Sequence, residues 1–210
     1  LAAPLSDADA QVQSMPDASP AKWHLAHVTW FLESFVLRDH AVGYRAFDDS
    51  FAYLFNSYYE AEGARHARAS RGLLTRPSLS TILEYRAHVE VAIDRHWNNL
   101  PEAALQLIEL GIHHEQQHQE LLLTDILHLF SQNPTYPAYW PEPVMRDATA
   151  SQSQPLGWIE GSSGIQSIGY GGKGFAFDCE GPRHEVFLQP FALADRTVTN
   201  GEWMQFMTDG

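Results

Sequence analysis

The sequence predicts an α+β protein: an antiparallel helical bundle followed by a region of short strands and turns. Three observations predict it. Stretches 19–38, 78–97 and 101–130 repeat apolar residues at the spacing of one helix face and begin with helix-start residues. Residues 134–156 carry Pro134, Pro137, Pro141, Pro143 and Pro155 and show no period, as expected of a linker. Beyond them, eight glycines fall between 157 and 181 and separate short extended pieces. The expected organisation is a bundle over 1–133, a Pro-rich linker over 134–156 and a region over 157–210 too short for a complete domain.

Residues 1–18 show only a weak helical period. Ser19-Pro20 starts the first strong helix, with Ser19 as N-cap and Pro20 at the first helical position. Trp23, His27, Trp30, Phe31 and Ser34 then share one face. His27 lies inside that apolar stripe, which suits either a hydrogen-bonded core residue or a ligand. Residues 39–77 have no period. They hold the aromatic segment Phe51–Tyr59 and then Arg65, His66, Arg68, Arg71 and Arg76. Two readings stand for these arginines: a solvated loop offsetting nearby acids, or a patch whose guanidinium forks hold a carboxylate. Ser78 or Ser80 caps the second helix, with Ile82, Tyr85, Val89 and Ile93 in phase. After the turn Asn98-Asn99-Leu100, Pro101 opens a third whose inner stripe reads Leu107, Leu110, His114, Gln117/His118, Leu121 and Asp125. A fourth helix is expected upstream of Leu1. Within 157–210, Phe175–Phe177 and His184–Leu188 read as strands, and Thr199-Asn200-Gly201-Glu202 as a capping box.

Composition excludes several classes. The net charge of -13, from 26 acidic and 13 basic residues, disfavours nucleic-acid and anionic-membrane binding. No apolar run approaches the roughly 20 residues that span a bilayer. One cysteine, Cys179, gives no disulfide framework and suits a reducing cytoplasm. Leu1-Ala2-Ala3-Pro4 lacks the regions of a signal peptide, and both ends are expected to be internal to a longer chain.

The chemistry centres on His113–Glu120. His114 and His118, four apart, project from one helix face. His114-Glu115-Gln116-Gln117-His118 fits the H-E-x-x-H pattern of zinc hydrolases, with Glu115 as general base. The alternative adds a third histidine from a facing helix, and His27 is the best placed. Three neutral imidazoles leave a divalent ion its full charge and open positions, but do not choose among Fe, Zn, Cu and Ni. Gly169-Tyr170-Gly171-Gly172-Lys173-Gly174 fits G-x-G-x-x-G, but a strand before it and a helix after it are not expected, so it reads as a turn. Cys179 lies between Asp178 and Glu180, which disfavours a thiolate.

Several blocks in order then resemble one family. Ser14–His27, Leu54–Tyr59, Arg71–Pro77 and His113–Glu120 resemble the DinB-like domain of ergothioneine-type sulfoxide synthases. Pro182–Val186, Phe191–Leu193 and Thr197–Trp203 resemble the start of their formylglycine-generating-enzyme-like domain. The resemblance implies a cytoplasmic enzyme using non-haem Fe(II) and O2 to join a thiol to imidazole C2 of hercynine, leaving a sulfoxide. It implies iron ligands His27, His114 and His118, with Glu120 as outer support and Gln117 as a contact to the substrate imidazole. The Tyr58-Tyr59 pair resembles the branch that uses cysteine rather than γ-glutamylcysteine, one of the two tyrosines supplying a proton. Arg65, Arg68, Arg71 or Arg76 would hold the thiol's carboxylate. An ovothiol-type enzyme, taking histidine at another ring carbon, and the zinc hydrolase are the alternatives. In the family the C-terminal domain completes the active-site tunnel, so a chain ending at Gly210 is expected to bind metal weakly and turn over little.

Overall fold

The computed structural model describes residues 1–140 and 154–209. The chain divides into two compact units, Leu1–Glu142 and Pro143–Gly210. Most of the interval expected to link them lies outside the described residues, but its beginning packs as part of the first unit. Tyr139 is buried with Leu5, Ala10, Leu122 and Ile126, and its hydroxyl donates to the Leu1 carbonyl. The bundle therefore extends past the expected limit at 133.

In the first unit the helices are α1 (Asp7–Gln11), α2 (Ala21–Leu32), α3 (Phe51–Phe55), α4 (Leu79–His96) and α5 (Glu102–Ser131). Ser6 caps α1 in a reciprocal pair with Asp9, and Ser78 caps α4 by accepting from the Thr81 N–H. Ser19 does not cap α2, contrary to expectation. Pro20 is the N-cap residue, because the Ser19 hydroxyl accepts instead from Arg71. After Leu32 the helix widens into a π-helical segment, Glu33–Arg38.

Helix α2 is the centre of the unit, packing against α4, α5 and α3. Ser19–Asp125, His24–His118 and His27–His114 are neighbours that step in opposite directions along the two chains, so α2 and α5 run antiparallel. The long connection 39–78 carries the chain back to the start of α2, where the Lys22 ammonium donates to the Pro77 carbonyl. Consequently α2 and α4 run the same way, a departure from a purely antiparallel bundle. That connection is also not a plain loop. It contains α3 and two 3-10 turns, Glu60–Glu62 and Arg68–Leu73, and short turns of this kind carry no period for sequence to show.

The core joins Trp23, Ala26, Trp30, Phe31 and Leu37 to Phe51, Phe55, Ile82, Tyr85 and Val89. Each fully buried large apolar side chain stabilises by about 1.5–3 kcal/mol. Glu33 is buried and satisfied: it accepts from the Tyr44 and Tyr85 hydroxyls and the Phe47 N–H. Burial first, and then that carboxylate, push both tyrosines up. At Gly111, α5 packs tightly against the end of α2. A Cβ there would lie 2.7 Å from a Leu32 methyl and 3.4 Å from two Phe31 ring atoms.

The second unit holds two antiparallel strand pairs and α6 (Asn200–Asp209). Strand β1 (Trp158–Glu160) pairs with β4 (Ala192–Ala194), with Ile159 opposite Leu193. Strand β2 (Gly164–Ile168) pairs with β3 (His184–Leu188), with Gln166 opposite Val186. Thr199 and Glu202 form the reciprocal cap of α6, and Arg196 pairs with the same carboxylate. Phe175–Phe177 is not a strand. It leads into the short turn Asp178–Glu180 and packs Phe175 edge-on against Phe177. A strand does precede the glycine-rich turn, against expectation, but no helix follows that turn, so the dinucleotide reading still fails. No helix among the described residues is long and apolar enough to cross a membrane.

Candidate metal centre

The antiparallel crossing of α2 and α5 brings His27, His114 and His118 together, with candidate ligand nitrogens all within 4.8 Å of one another. Their ring centroids form a near-equilateral triangle, 4.9 Å for His27–His114, 4.7 Å for His27–His118 and 4.6 Å for His114–His118. His114 and His118 meet because they lie one turn apart. His27 is held by its own helix: Trp23 stacks on its ring at 4.7 Å and Trp30 at 5.7 Å. Gly111, three residues before His114, lets the two helices approach.

The electrostatics keep all three rings neutral. Burial draws His27 down to about 3, with the neighbouring His114 adding to the shift and the Phe55 carbonyl opposing it. Burial likewise holds His114 at about 4. His118 falls to about 2 through burial and then the charges of His27 and His24. A neutral imidazole carries one N–H and one lone pair. His27 spends its N–H on the Phe55 carbonyl, Nδ1 to oxygen 2.6 Å, which leaves Nε2 as the lone pair. His114 Nδ1 is buried with no hydrogen-bond partner among the described residues, an uncompensated cost of the kind native structures seldom carry. A buried, uncharged, under-satisfied imidazole set fits a soft-to-borderline divalent metal, and His27, His114 and His118 are the residues that would hold it.

The three rings open into a cavity of about 400 Å³ whose wall includes Ser57, Tyr58, Tyr59, Arg68, Arg71 and Gln117. The cavity thus gathers Tyr58, Tyr59, Gln117, Arg68 and Arg71 from the residues singled out in the sequence. Arg65 and Arg76 are exposed and do not line it. Arg65 instead approaches Glu60 at 3.8 Å. Arg71 is only 4% exposed. Its guanidinium lies 3.3 Å over the Trp23 ring and donates to Ser19 and Ser57 hydroxyls, while Nε is buried without a partner among the described residues. Burial and then Arg68 draw it down to about 10, so it stays charged at neutral pH. Tyr58 is 72% exposed and its hydroxyl accepts from Arg68. Tyr59 is the more enclosed, held by Asn56 through its backbone, and burial pushes its hydroxyl up.

Glu115 accepts a charge-assisted pair from Arg86 of α4 at 2.7 and 2.8 Å, which commits its carboxylate to the α4–α5 contact. Glu120 is exposed on α5. Two residues that motif reasoning passed over instead lie in a chain of contacts to His118. His24 Nδ1 sits 2.9 Å from His118 Nδ1, and His24 Nε2 sits 3.0 Å from Asp125 Oδ2. Their spacing, three residues before His27 and seven after His118, was the signal that they share the ligand face.

A helical bundle with convergent imidazoles on facing helices is the architecture of a bundle-core metal protein. The family model of the DinB superfamily matches residues 1–122, and the chain belongs to that superfamily. Over 97% of its length it is 30% identical to the hercynine oxygenase of Mycolicibacterium smegmatis, and covers 46% of that protein. It is similarly 28% identical to the hercynine oxygenase of Mycolicibacterium thermoresistibile, covering 44% of it. Identity to the Mycobacterium tuberculosis hercynine oxygenase is 29%, with 46% of it covered. The chain spans about half the length of these curated relatives.

Proposed function

We propose that this chain forms the metal-binding part of an iron(II)- and O2-dependent sulfoxide synthase of ergothioneine biosynthesis. It would join a thiol, cysteine or γ-glutamylcysteine, to imidazole C2 of hercynine in the cytoplasm. The observation that carries the reading is the histidine triangle opening into a cavity that also presents a tyrosine pair and a buried arginine with no carboxylate paired to it among the described residues. Support comes from the relatives named hercynine oxygenase, whose similarity runs through both units. Oxygen activation at a metal needs a redox-active ion, which sets zinc aside, and among the remaining ions iron is assigned because the sulfoxide synthases that the chain resembles use it. When bound, it would supply one-electron access to O2 and hold the thiol as a thiolate.

The overall change balances without another reductant. The S–H and C2–H bonds break, a C–S bond forms, one oxygen atom goes to sulfur and the other leaves as water. Around that change the chain's own residues bind and orient. Arg71, pre-positioned on Trp23 with Nε free among the described residues, holds the carboxylate of the thiol substrate, with Arg68 beside it. Gln117 offers its side-chain amide to the substrate imidazole. Tyr59 keeps its proton at neutral pH and carries it to reduced oxygen. Tyr58, fixed by Arg68, closes the wall. Residues 157–210 are read as the beginning of a formylglycine-generating-enzyme-like domain that completes substrate recognition.

The zinc hydrolase reading would use Glu115 as its base, and the pairing of that carboxylate with Arg86 supports the oxygenase reading over it. The deciding experiment is mass spectrometry of the full-length protein incubated with Fe(II), O2, hercynine and either thiol. The expected product is the hercynyl sulfoxide, lost in His27→Ala. Absence of product with both thiols, or peptide cleavage that depends on tightly held zinc and on Glu115, would overturn the assignment.

A further inference from the structure

The structure assigns His24 and Asp125 as positioning residues that set the tautomer and orientation of the ligand His118 through a linear relay, Asp125–His24–His118. The inference rests on the metal centre at His27, His114 and His118, not on which reaction that centre performs. Neither residue is among the three candidate ligands, yet both are largely buried: His24 is 4% exposed and the Asp125 side chain 11%.

The protons in the relay follow from what each atom can do. An ionised carboxylate only accepts. Asp125 Oδ2, which already accepts from the Ser19 N–H at 2.8 Å, therefore requires the proton of His24 to reside on Nε2. In a neutral ring that leaves His24 Nδ1 as an acceptor. The 2.9 Å contact between the two Nδ1 atoms needs one donor, which must then be His118. With its proton on Nδ1, His118 presents Nε2 as a lone pair. The opposite arrangement, with His24 donating to His118, would put the His118 proton on Nε2 and remove a ligand. The carboxylate thus selects the ligating tautomer two hydrogen bonds away and makes the donor nitrogen more basic.

The same logic is used twice in the centre by different means. For His27 the Phe55 carbonyl fixes the tautomer, a backbone group that no side-chain substitution removes. For His118 the acceptor is a side chain backed by a charge. The relay also ties the entry of α2 to the far part of α5, and the His118 ring cannot swing without breaking its contact to the anchored His24.

Two measurements on the full-length protein test this. In the metal-free protein, long-range proton–nitrogen NMR of nitrogen-labelled histidine should show His118 protonated on Nδ1 and His24 on Nε2. His118 protonated on Nε2 would overturn the proposal. For metal binding, Co(II) and Fe(II) affinities should fall by about 10–100-fold in His24→Leu, while the melting temperature of the metal-free protein changes by only a few degrees. Should His24→Leu fail to fold, Asp125→Ala carries the test. It removes the carboxylate that holds the His24 proton on Nε2, so the His118 proton should no longer be confined to Nδ1 and metal binding should weaken. Affinity within about twofold of the parent in the folded variant, with an unchanged His118 nitrogen pattern, would refute the relay.

Discussion

Mild acid should destabilise the metal-free protein through the three cluster histidines. In the unfolded chain these rings take up a proton near 6.5, whereas the fold lowers His27 to about 3, His114 to about 4 and His118 to about 2. Between those values the unfolded chain binds more protons than the folded one, so stability rises with pH. The contribution is complete above 6.5 and is lost as the pH falls from there toward the folded values. Each ring loses about 1.4 kcal/mol per pH unit in that window. From about pH 7.5 to about pH 5.5 the three rings together therefore remove up to about 4 kcal/mol. That is a large share of an ordinary stability of roughly 5–15 kcal/mol. Urea unfolding of the metal-free protein at the two pH values measures it, read from the midpoint at constant slope. In His27→Phe, whose ring keeps the stack between Trp23 and Trp30, about a third of the pH effect should disappear. A midpoint that does not move between the two pH values, or an unchanged pH effect in the variant, would refute the reasoning.

Three further outcomes follow from particular contacts. Glu115→Gln should leave metal affinity within about twofold and cost at most about 1 kcal/mol, because it loosens a partly exposed pair with Arg86; a chelator competition assay that shows loss of metal would return Glu115 to the centre. Gly111→Val should destabilise by about 1–3 kcal/mol through overpacking against Leu32 and Phe31, and calorimetry together with a weaker metal affinity would register the displaced His114. If the proposed activity holds, Arg71→Ala should raise the thiol KM by about 10–150-fold, the size of a lost charge-assisted contact of about 1.5–3 kcal/mol, and Arg71→Lys should not restore it because the fork is gone. An unchanged thiol KM would remove Arg71 from substrate binding.

Much of this site was legible because helix periodicity reports burial locally. The phase of Trp23, His27, Trp30 and Phe31 marks one buried face of α2, and the spacing of His114 and His118 marks one face of α5. A three-histidine site follows once those faces are packed together. The i, i+3/i+4 pattern also located α4, through Ile82, Tyr85 and Val89, and capping-box spacing located the Thr199–Glu202 cap of α6. Composition by itself turned the reading away from nucleic acid.

What only the tertiary structure decided are contacts between residues far apart in sequence, because these depend on helix register and on the path of aperiodic chain. Ser19 and His24 lie about a hundred positions from Asp125, and the helix phase that puts Asp125 on the inner face does not say which groups it meets there. The antiparallel register of α2 and α5 makes it the anchor of His118. The same register turns Glu115 toward Arg86, so a motif that suggests a general base in sequence becomes a helix-to-helix ion pair in the fold. Among the arginines, the 3-10 turn at Arg68–Leu73 sends Arg71 under Trp23 and leaves Arg65 and Arg76 in solvent. Sequence alone thus determined which faces carry imidazoles; packing decided which neighbours hold those imidazoles neutral, oriented and open to a cavity.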